Sequence, residues 1–374
     1  MLPYGRQSVD ETDVAAVAAT LRGDWLTTGP VVRAFESALA GVAGVADCVS
    51  VTSGTAALHV AYAAAGVRPG SEVVTSPMTF VATASAAALH GARVVFADVD
   101  GQTANLDPAA AEAAVTTRTR VITAVDYAGH PAEYDGLGKV ARRAGTVLVA
   151  DAAHAIGSRY RGAPVGSLAD LTTFSFFPTK NLTTAEGGAV TGTDPDLLGR
   201  ARSFAHHGMV RPPGRLRQPD EGGWHQEAHS FGLNYRLPDV LCALGLSQLG
   251  RLDRFKAART RLVARYNAML ADVPGLGLPT QQAWADPMWH LYAVRIRDGR
   301  RREVYDRMRA AGIGVQVNYL PVYWHPVFAD LGYRRGMCPV AESFYAEQLS
   351  LPLFPDLTEA DQERVVDTLR DILR

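Results

Sequence analysis

Short apolar runs alternate with alanine-rich stretches through the first half of this chain. CVSV (48–51), EVVTS (72–76), RVVFADV (93–99), RVITAVDY (120–127), TVLVADA (146–152) and LTTFSFF (171–177) are short and rich in β-branched or aromatic residues, which predicts strands. Between them, SGTAALHVAYAAAG (53–66), FVATASAAALHG (80–91) and residues 136–145 predict helices. Upstream, residues 8–22 read as a helix capped by Ser8, with Val14, Val17 and Leu21 on one face. DWLTTGP (24–30) breaks that helix, and residues 31–41 form another. Apolar strands separated by helices predict a mostly parallel α/β sheet covered on both faces. Ligand sites on such sheets lie beyond the carboxyl ends of the strands, here the loops SGT, SPMTF, DYAGH, DAAH and FPTK.

Past residue 205 the texture changes. HHGMVRPPGRLRQPDEGGWHQEAH is rich in Pro, Gly and charge and predicts a long surface loop. Residues 237–270 predict a long helical region, and 288–297, 301–311 and 313–319 a strand, a helix and a strand. The tail from 339 to 374 reads as helical with a Leu-Pro-Leu break. The expected division is a large domain over 1–245, including the N-terminal helix, and a smaller C-terminal α/β domain over 246–374.

Composition narrows the function. The 374 residues are 47% apolar with a net charge of −1, so no basic excess supports nonspecific nucleic-acid or anionic-membrane binding. No apolar run reaches membrane-spanning length, and MLPYGRQSVDETD lacks the layout of a signal peptide. Cys48, Cys242 and Cys338 stand singly, which suits a reducing cytoplasm.

Of the 37 lysines and arginines only three are lysine, and one of these, Lys180, follows an apolar strand and precedes a glycine pair. Arginine stays protonated and cannot be a nucleophilic amine, whereas a desolvated lysine can. Lys180 is therefore either a solvated loop residue or a reactive amine. Asp151 ends the strand TVLVADA, with His154 three residues on. It caps the next helix or pairs with a protonated pyridine nitrogen. Ser53, Gly54 and Thr55 open a helix whose free amides suit a phosphate monoester, although Ser and Thr are also ordinary caps. The nucleotide cradles GxxxxGK and GxGxxG are absent.

Taken together, a phosphate turn, a strand-end Asp and a strand-end Lys describe a site for pyridoxal 5′-phosphate (PLP). Ser175, on the lysine strand, reaches the phosphate in this reading, and Phe80 stacks on the ring or belongs to the core. His206, His207, His225 and His229 fall in a loop-like, Gly-rich segment. The i, i+4 spacing of His225 and His229 has no helical frame there, so no metal site is expected.

The sequence resembles the DegT/DnrJ/EryC1/StrS nucleotide-sugar aminotransferases, of aspartate-aminotransferase fold type I. The resemblance covers essentially the whole chain, through GDWLTTGPVVRAFE, SVTSGTAALH, SPMTFVATA, VVFADVD, DAAHAIGSRYRG, FSFFPTKNLTTAEGGAV, HHGM, GLNYRLPDVLCALGLSQL and GVQVNYLPVY. It implies that Lys180 binds the cofactor aldehyde, Asp151 holds the pyridine nitrogen and His154 lies near the phenolic oxygen. The Thr55 and Ala56 amides and the Ser175 hydroxyl are implied to hold the phosphate, with Asn234 reaching it from a partner subunit. A homodimer with shared sites follows from that implication.

Within the family, YGRQSVDETD, VDYAGH, HHGM and VQVNYLPVYWHPVF look most like the transaminases that make UDP-4-amino-4,6-dideoxy-N-acetyl-altrosamine, whereas FFPTKNL is the generic family form. The implied reaction moves an amino group from L-glutamate to a nucleotide-linked 4-keto-6-deoxy sugar. Trp25, Thr27, His207, Arg236, Tyr319 and His325 are candidate substrate contacts. A dTDP-keto-sugar or a keto-inositol is the alternative acceptor. A sugar dehydratase on the same fold is disfavoured because such enzymes carry His in place of the lysine.

Overall fold

The computed structural model describes residues 1–374, apart from the side chain of Pro213. Seven strands form the central sheet: β1 (Asp47–Val51), β2 (Glu72–Thr75), β3 (Arg93–Phe96), β4 (Thr119–Val125), β5 (Val147–Asp151), β6 (Leu171–Ser175) and β7 (Gly188–Gly192). Their order is β1-β7-β6-β5-β4-β2-β3. Strands β2 to β6 pair in parallel, and β7 alone runs against its neighbours. Every residue of β2, β6 and β7 is buried, as expected of strands covered on both faces. The expected α/β sheet is therefore present, with β7 (GAVTG) an addition that its glycine-rich sequence did not predict.

Helices α1 (Glu11–Leu21), α2 (Pro30–Ala43), α3 (Gly54–Ala64), α4 (Ala82–Leu89), α5 (Pro108–Ala114), α6 (Tyr134–Ala144) and α7 (Pro195–Phe204) accompany the sheet. Ala-rich α3 and α4 pack tightly because small side chains let backbones approach; Ala57, Ala61, Ala84, Ala86 and Ala87 are all fully buried. The cap of α1 is Asp10, not Ser8. Its carboxylate accepts from Thr12 N and Asp13 N, Asp13 returns the bond to Asp10 N, and Arg251 pairs with both acids. Val14 and Leu21, read as sharing one face, are 52% and 57% exposed, and the buried residue of α1 is Asp13.

The long helical region is two helices, α8 (Asp239–Leu249) and α9 (Leu252–Leu270), broken at Gly250–Arg251. A second, antiparallel sheet has the order β8 (Leu276–Gly277), β9 (Tyr292–Ile296), β10 (Gln348–Leu351). With α9, α10 (Arg301–Ala310) and the last helix (Glu359–Leu373) it encloses a separate core around Tyr266, Val294, Met308, Leu349 and Val365. IGVQVNY (313–319), expected to be a strand, makes only isolated bridges, Leu2 to Ile313 and Gln316 to Ser350. The tail contains strand β10 between helices rather than a purely helical run.

The expected division at 245/246 falls inside α8, and Leu252 and Phe255 still pack with Phe35 and Phe176 of the large core. Residues around Val322, Phe328 and Phe344 also join the core of the main sheet. We propose a division that follows the two cores rather than a single cut in the chain. Among the described residues no helix is long and apolar enough to cross a membrane, and the three cysteines are free and buried.

Candidate active site

Strands β4, β5 and β6 end at one rim, and their following loops line a cavity of about 480 Å³. Lys180 stands on the turn after β6, held by its amide bond to Phe177 O at 2.9 Å. Burial in the cavity wall lowers its pKa to about 8, opposed by the attraction of Asp151. Asp151 is the last residue of β5. Thr83 Oγ1 donates to its Oδ2 at 2.6 Å and Ala153 N to its Oδ1 at 3.2 Å, while burial raises its pKa. His154 follows on the same loop. Its Nε2 lies 3.0 Å from the Tyr319 hydroxyl, and burial, then the charge of Lys180, hold its pKa well below the ordinary imidazole value.

The opposite wall is the start of α3. Ser53 caps it, accepting from Ala56 N at 3.0 Å, which leaves the Gly54 and Thr55 amides at the helix mouth without an intrahelical acceptor. A Cβ on Gly54 would sit 2.7 Å from Ser175 Cβ and 2.9 Å from its Oγ, so only glycine lets the helix mouth meet the Ser175 hydroxyl. Likewise a Cβ on Gly188 of β7 would meet Ser53 O at 2.4 Å. Two successive free amides, a hydroxyl and the positive end of a helix dipole form a cradle for a small dianion.

The candidates therefore divide. Lys180, Asp151, His154, Ser53, Gly54, Thr55, Phe80, Ser175 and Tyr319 all line the one cavity. Ala56 does not, its amide being satisfied by Ser53. Trp25, Thr27, His207 and Asn234 are exposed and lie outside it, as do the half-buried Arg236 and His325. Arg236 instead donates to His206 Nδ1 at 2.7 Å, beside a second cavity of about 220 Å³.

Among the described residues no group of His, Cys, Asp and Glu is arranged to hold a metal. His225 and His229 both turn to Glu227, at 3.1 and 2.5 Å, one before and one after the short strand Glu227–Ala228, which pairs with Met209–Val210.

Several lining residues escaped the sequence reading. Asp126 directly follows β4 and accepts from Ala132 N and the Tyr134 hydroxyl; burial raises its carboxyl to about 7. Its signal was present, since it opens the DYAGH loop at a strand end. His290 arrives from the second half of the chain with no local pattern to announce it, whereas Asn318 falls within the GVQVNYLPVY stretch that carries the resemblance. Asn318 is 6% exposed, and its Oδ1 has no protein partner. Thr83 was hidden inside α4, where a threonine reads as filler.

A lysine made acidic by burial, facing a buried carboxylate across a cavity that ends in a dianion cradle, is an arrangement for amine chemistry on a phosphorylated carbonyl group. Comparison with known proteins agrees. The chain is 37% identical to the spore coat polysaccharide biosynthesis protein SpsC of Bacillus subtilis, over 100% of this chain and 97% of that protein. It is 35% identical to the UDP-4-amino-4,6-dideoxy-N-acetyl-beta-L-altrosamine transaminase of Campylobacter jejuni, over 100% and 98%. Among solved structures, Spr1654 of Streptococcus pneumoniae, assigned as a sugar aminotransferase, matches in its PMP-form with a TM-score of 0.94 and 29% identity, covering 100% of this chain and 99% of that one. Its PLP-form matches with a TM-score of 0.93. The family profile for DegT/DnrJ/EryC1/StrS aminotransferases matches residues 7–370, and with the fold, the site and the relatives in accord, the chain belongs to the DegT/DnrJ/EryC1/StrS aminotransferase family.

Proposed function

We propose that this aminotransferase moves the amino group of L-glutamate onto a nucleotide-linked 4-keto-6-deoxy sugar, most simply a UDP-N-acetyl-4-keto-hexose, with pyridoxal 5′-phosphate held at Lys180. The observation that carries the reading is the convergence of Lys180, Asp151 and the Gly54–Thr55–Ser175 cradle on one cavity. When bound, the cofactor supplies an aldehyde that carries the amino group and a ring that takes up electrons from the substrate carbon.

The chain's own residues do the rest. Lys180, with a pKa of about 8, is a free amine often enough near neutral pH to bind the aldehyde. Once displaced, it takes and returns the proton at the substrate carbon. Asp151 holds a proton at the ring nitrogen, and Thr83 fixes the carboxylate that does so. The amides of Gly54 and Thr55 and the Ser175 hydroxyl receive the phosphate. His154, bonded to Tyr319, would lie beside the phenolic oxygen, and Phe80, at 57% exposed on the cavity wall, would be available to stack on the ring.

The active form in this reading is a homodimer. Trp25, Leu26, Phe231 and Leu233 are large apolar side chains left exposed, and Asn234, which follows Leu233 in the chain, is exposed and does not line its own cavity. A partner that covered them would bring Asn234 to the opposite site. The free, buried thiols suit a reducing compartment, in keeping with a cytoplasmic reaction.

The acceptor is tested by half-reactions. Enzyme in the pyridoxamine form is mixed with UDP-, dTDP- and GDP-linked 4-keto sugars and with keto-inositol, and return of the visible cofactor absorbance is followed. The UDP-N-acetyl-4-keto sugar should give the highest kcat/KM. A preference for keto-inositol would overturn the nucleotide-sugar reading, and a preference for a dTDP sugar would move the assignment to another subgroup. The similarity to the Campylobacter transaminase is the reason for placing UDP first.

A further inference from the structure

Behind His154 lies a second imidazole, His290, which the reaction as described does not use. Its ring is stacked on His154 with centroids 4.3 Å apart and planes inclined by 31°. It lines the same cavity as Lys180 and is 6% exposed. The segment that carries it is fixed from both sides. Met288 N donates to Ser158 Oγ at 2.8 Å, and His290 N donates to Ala128 O at 2.8 Å. Arg259, fully buried on α9, donates to Trp289 O at 3.1 Å and to His290 O at 3.4 Å. Gly129 makes room for the segment: at φ +90, a Cβ there would fall 2.2 Å from Met288 O and 3.0 Å from both His154 O and His290 N. A backbone cut this close around one histidine indicates a built position.

The tautomer of His290 follows from its neighbour. Asn181, next to the lysine, is buried, and its Nδ2 lies 2.8 Å from His154 O and 2.9 Å from Met288 O. Carbonyl oxygens only accept, so the amide nitrogen must face them and Oδ1 must face the other way. There Oδ1 lies 3.2 Å from His290 Nδ1. That nitrogen must carry the proton, because Oδ1 only accepts.

We propose that His290 is a positioning residue of the reaction site: fixed by Asn181 as the Nδ1–H tautomer and stacked on His154, it holds the His154 ring against the Tyr319 hydroxyl in one orientation and uncharged. The proposal rests on the cavity being the transamination site. The groups facing the stacked pair agree with an uncharged pair. Lys180 and Arg259 are cations that disfavour a further positive charge, and Tyr319 and Asn181 are neutral. The carboxylates that line the same cavity are Asp151, engaged with Thr83, Asp126, engaged with Ala132 N and the Tyr134 hydroxyl, and Glu186. Burial comes first for both; Lys180 adds to it at His154, and His154, Lys180 and Arg259 add to it at His290, so both imidazoles stay well below their ordinary pKa. A charged His154 would alter the electronics of the phenolic oxygen it is read to face; an uncharged, oriented one leaves that oxygen to its intended partner.

Two variants separate stacking from tethering. His290→Phe keeps a ring against His154 but removes the donor to Asn181. His290→Asn keeps a donor at the Nδ1 position but removes the ring and opens the stack to water. Cofactor-free, full-length enzyme labelled with [15N]histidine is examined by two-bond 1H–15N correlation from pH 5.5 to 8. Wild type should show His290 protonated at Nδ1 and bare at Nε2, with His154 neutral throughout.

In His290→Asn, water admitted beside the ring should raise the His154 midpoint into the measured range, still below the ordinary imidazole value of about 6.5 because Lys180 remains. After loading with pyridoxal 5′-phosphate, the visible absorbance of that variant should show the same midpoint, absent from wild type. In His290→Phe, His154 should stay neutral, while kcat falls about 10-fold or more from the loosened Asn181–Lys180 loop and KM for glutamate changes little. An Nε2–H or doubly protonated His290 in wild type would overturn the proposal, as would a His154 that stays neutral in His290→Asn. Should these spectra hold while Lys180→Arg still turns over, the fault would lie with the assignment of the cavity and not with the lock.

Discussion

The reactivity of Lys180 is set by two opposed effects, and removing one of them gives a signed prediction. Burial lowers the amine to a pKa of about 8, and Asp151 pulls it upward. At pH 7 about one Lys180 in ten is then unprotonated, against roughly one in 2,500 for an ordinary lysine near 10.4. The gain is about 250-fold in reactive amine before any ligand arrives.

Asp151→Asn removes the upward pull and leaves the burial, so the midpoint should fall further, by about 1 unit for a carboxylate sharing the cavity. Close to half of the Lys180 amines would then be free at pH 7, about five times the wild-type share. Reductive methylation with formaldehyde and cyanoborohydride on cofactor-free enzyme reads this directly, because the chain has only three lysines. Exposed Lys139 is the internal reference, and Lys256, bound to Asp286 Oδ2 at 2.6 Å, reports on an engaged amine. Mass spectrometry of the Lys180 peptide from pH 6 to 10 should give a midpoint near 8 for wild type and below it for Asp151→Asn. A wild-type midpoint near 10, or an upward move in the variant, would refute the argument. The variant should nonetheless be poor in turnover, since the ring nitrogen has lost its partner.

Lys180→Arg should abolish overall transamination with a circular dichroism spectrum and Tm close to wild type, because the charge survives and the deprotonatable amine does not. Lys180→Met should stabilise the cofactor-free enzyme at pH 7 by about 1–2 kcal/mol. The unfolded lysine keeps its proton up to about 10.4 while the folded one releases it above about 8, so the wild type should gain on the variant as pH rises through that window. Gly54→Ala drives a Cβ to 2.7 Å from Ser175 Cβ and should cost about 1–3 kcal/mol by thermal unfolding, with cofactor affinity reduced about tenfold or more in a fluorescence titration. Mixing inactive Lys180→Ala with an impaired Asn234→Ala variant should restore part of the activity once subunits exchange; no recovery after verified exchange would count against sites shared between chains.

Much of this architecture is legible because burial on both faces forces β-branched runs. Five of the parallel strands and the loops beyond them could be placed from that pattern alone. The failures have local causes. GAVTG was too short and glycine-rich to announce β7, although Gly188 serves the approach to Ser53 and Gly192 the approach to Asp170 O. IGVQVNY alternates like a strand, yet Gln316 exchanges both backbone bonds with Ser350 and the chain then leaves the sheet so that Asn318 and Tyr319 enter the cavity. Ser8 reads as the cap, yet Asp10 takes that place, with Arg251, far away in sequence, paired to it. Lys180 and Asp151 stood out by residue type and strand-end position. His290 did not, because its role comes from contacts with residues 109 and 136 positions earlier in the chain.

Charge within the cavity bears on what must complete it. The charged residues lining it are Lys180, Asp126, Asp151 and Glu186, and no arginine is among them. A phosphate dianion placed there would meet amides, a hydroxyl and a helix dipole, and these neutral donors suffice for one phosphate monoester. In the proposed function a nucleotide diphosphate would add two more negative charges to a cavity that already carries the carboxylate of Glu186. In so arginine-rich a chain, the missing cations must come from surfaces outside this cavity. Arg211, paired with Gln226 at 3.0 Å, and Arg236 lie in the 206–236 region, whose exposed Trp224 and Phe231 leave it unburied by its own chain. A reading in which one chain grips the cofactor and a second chain delivers the cations for the nucleotide accounts together for the neutral cradle, the bare apolar side chains and the distance of Asn234 from its own lysine.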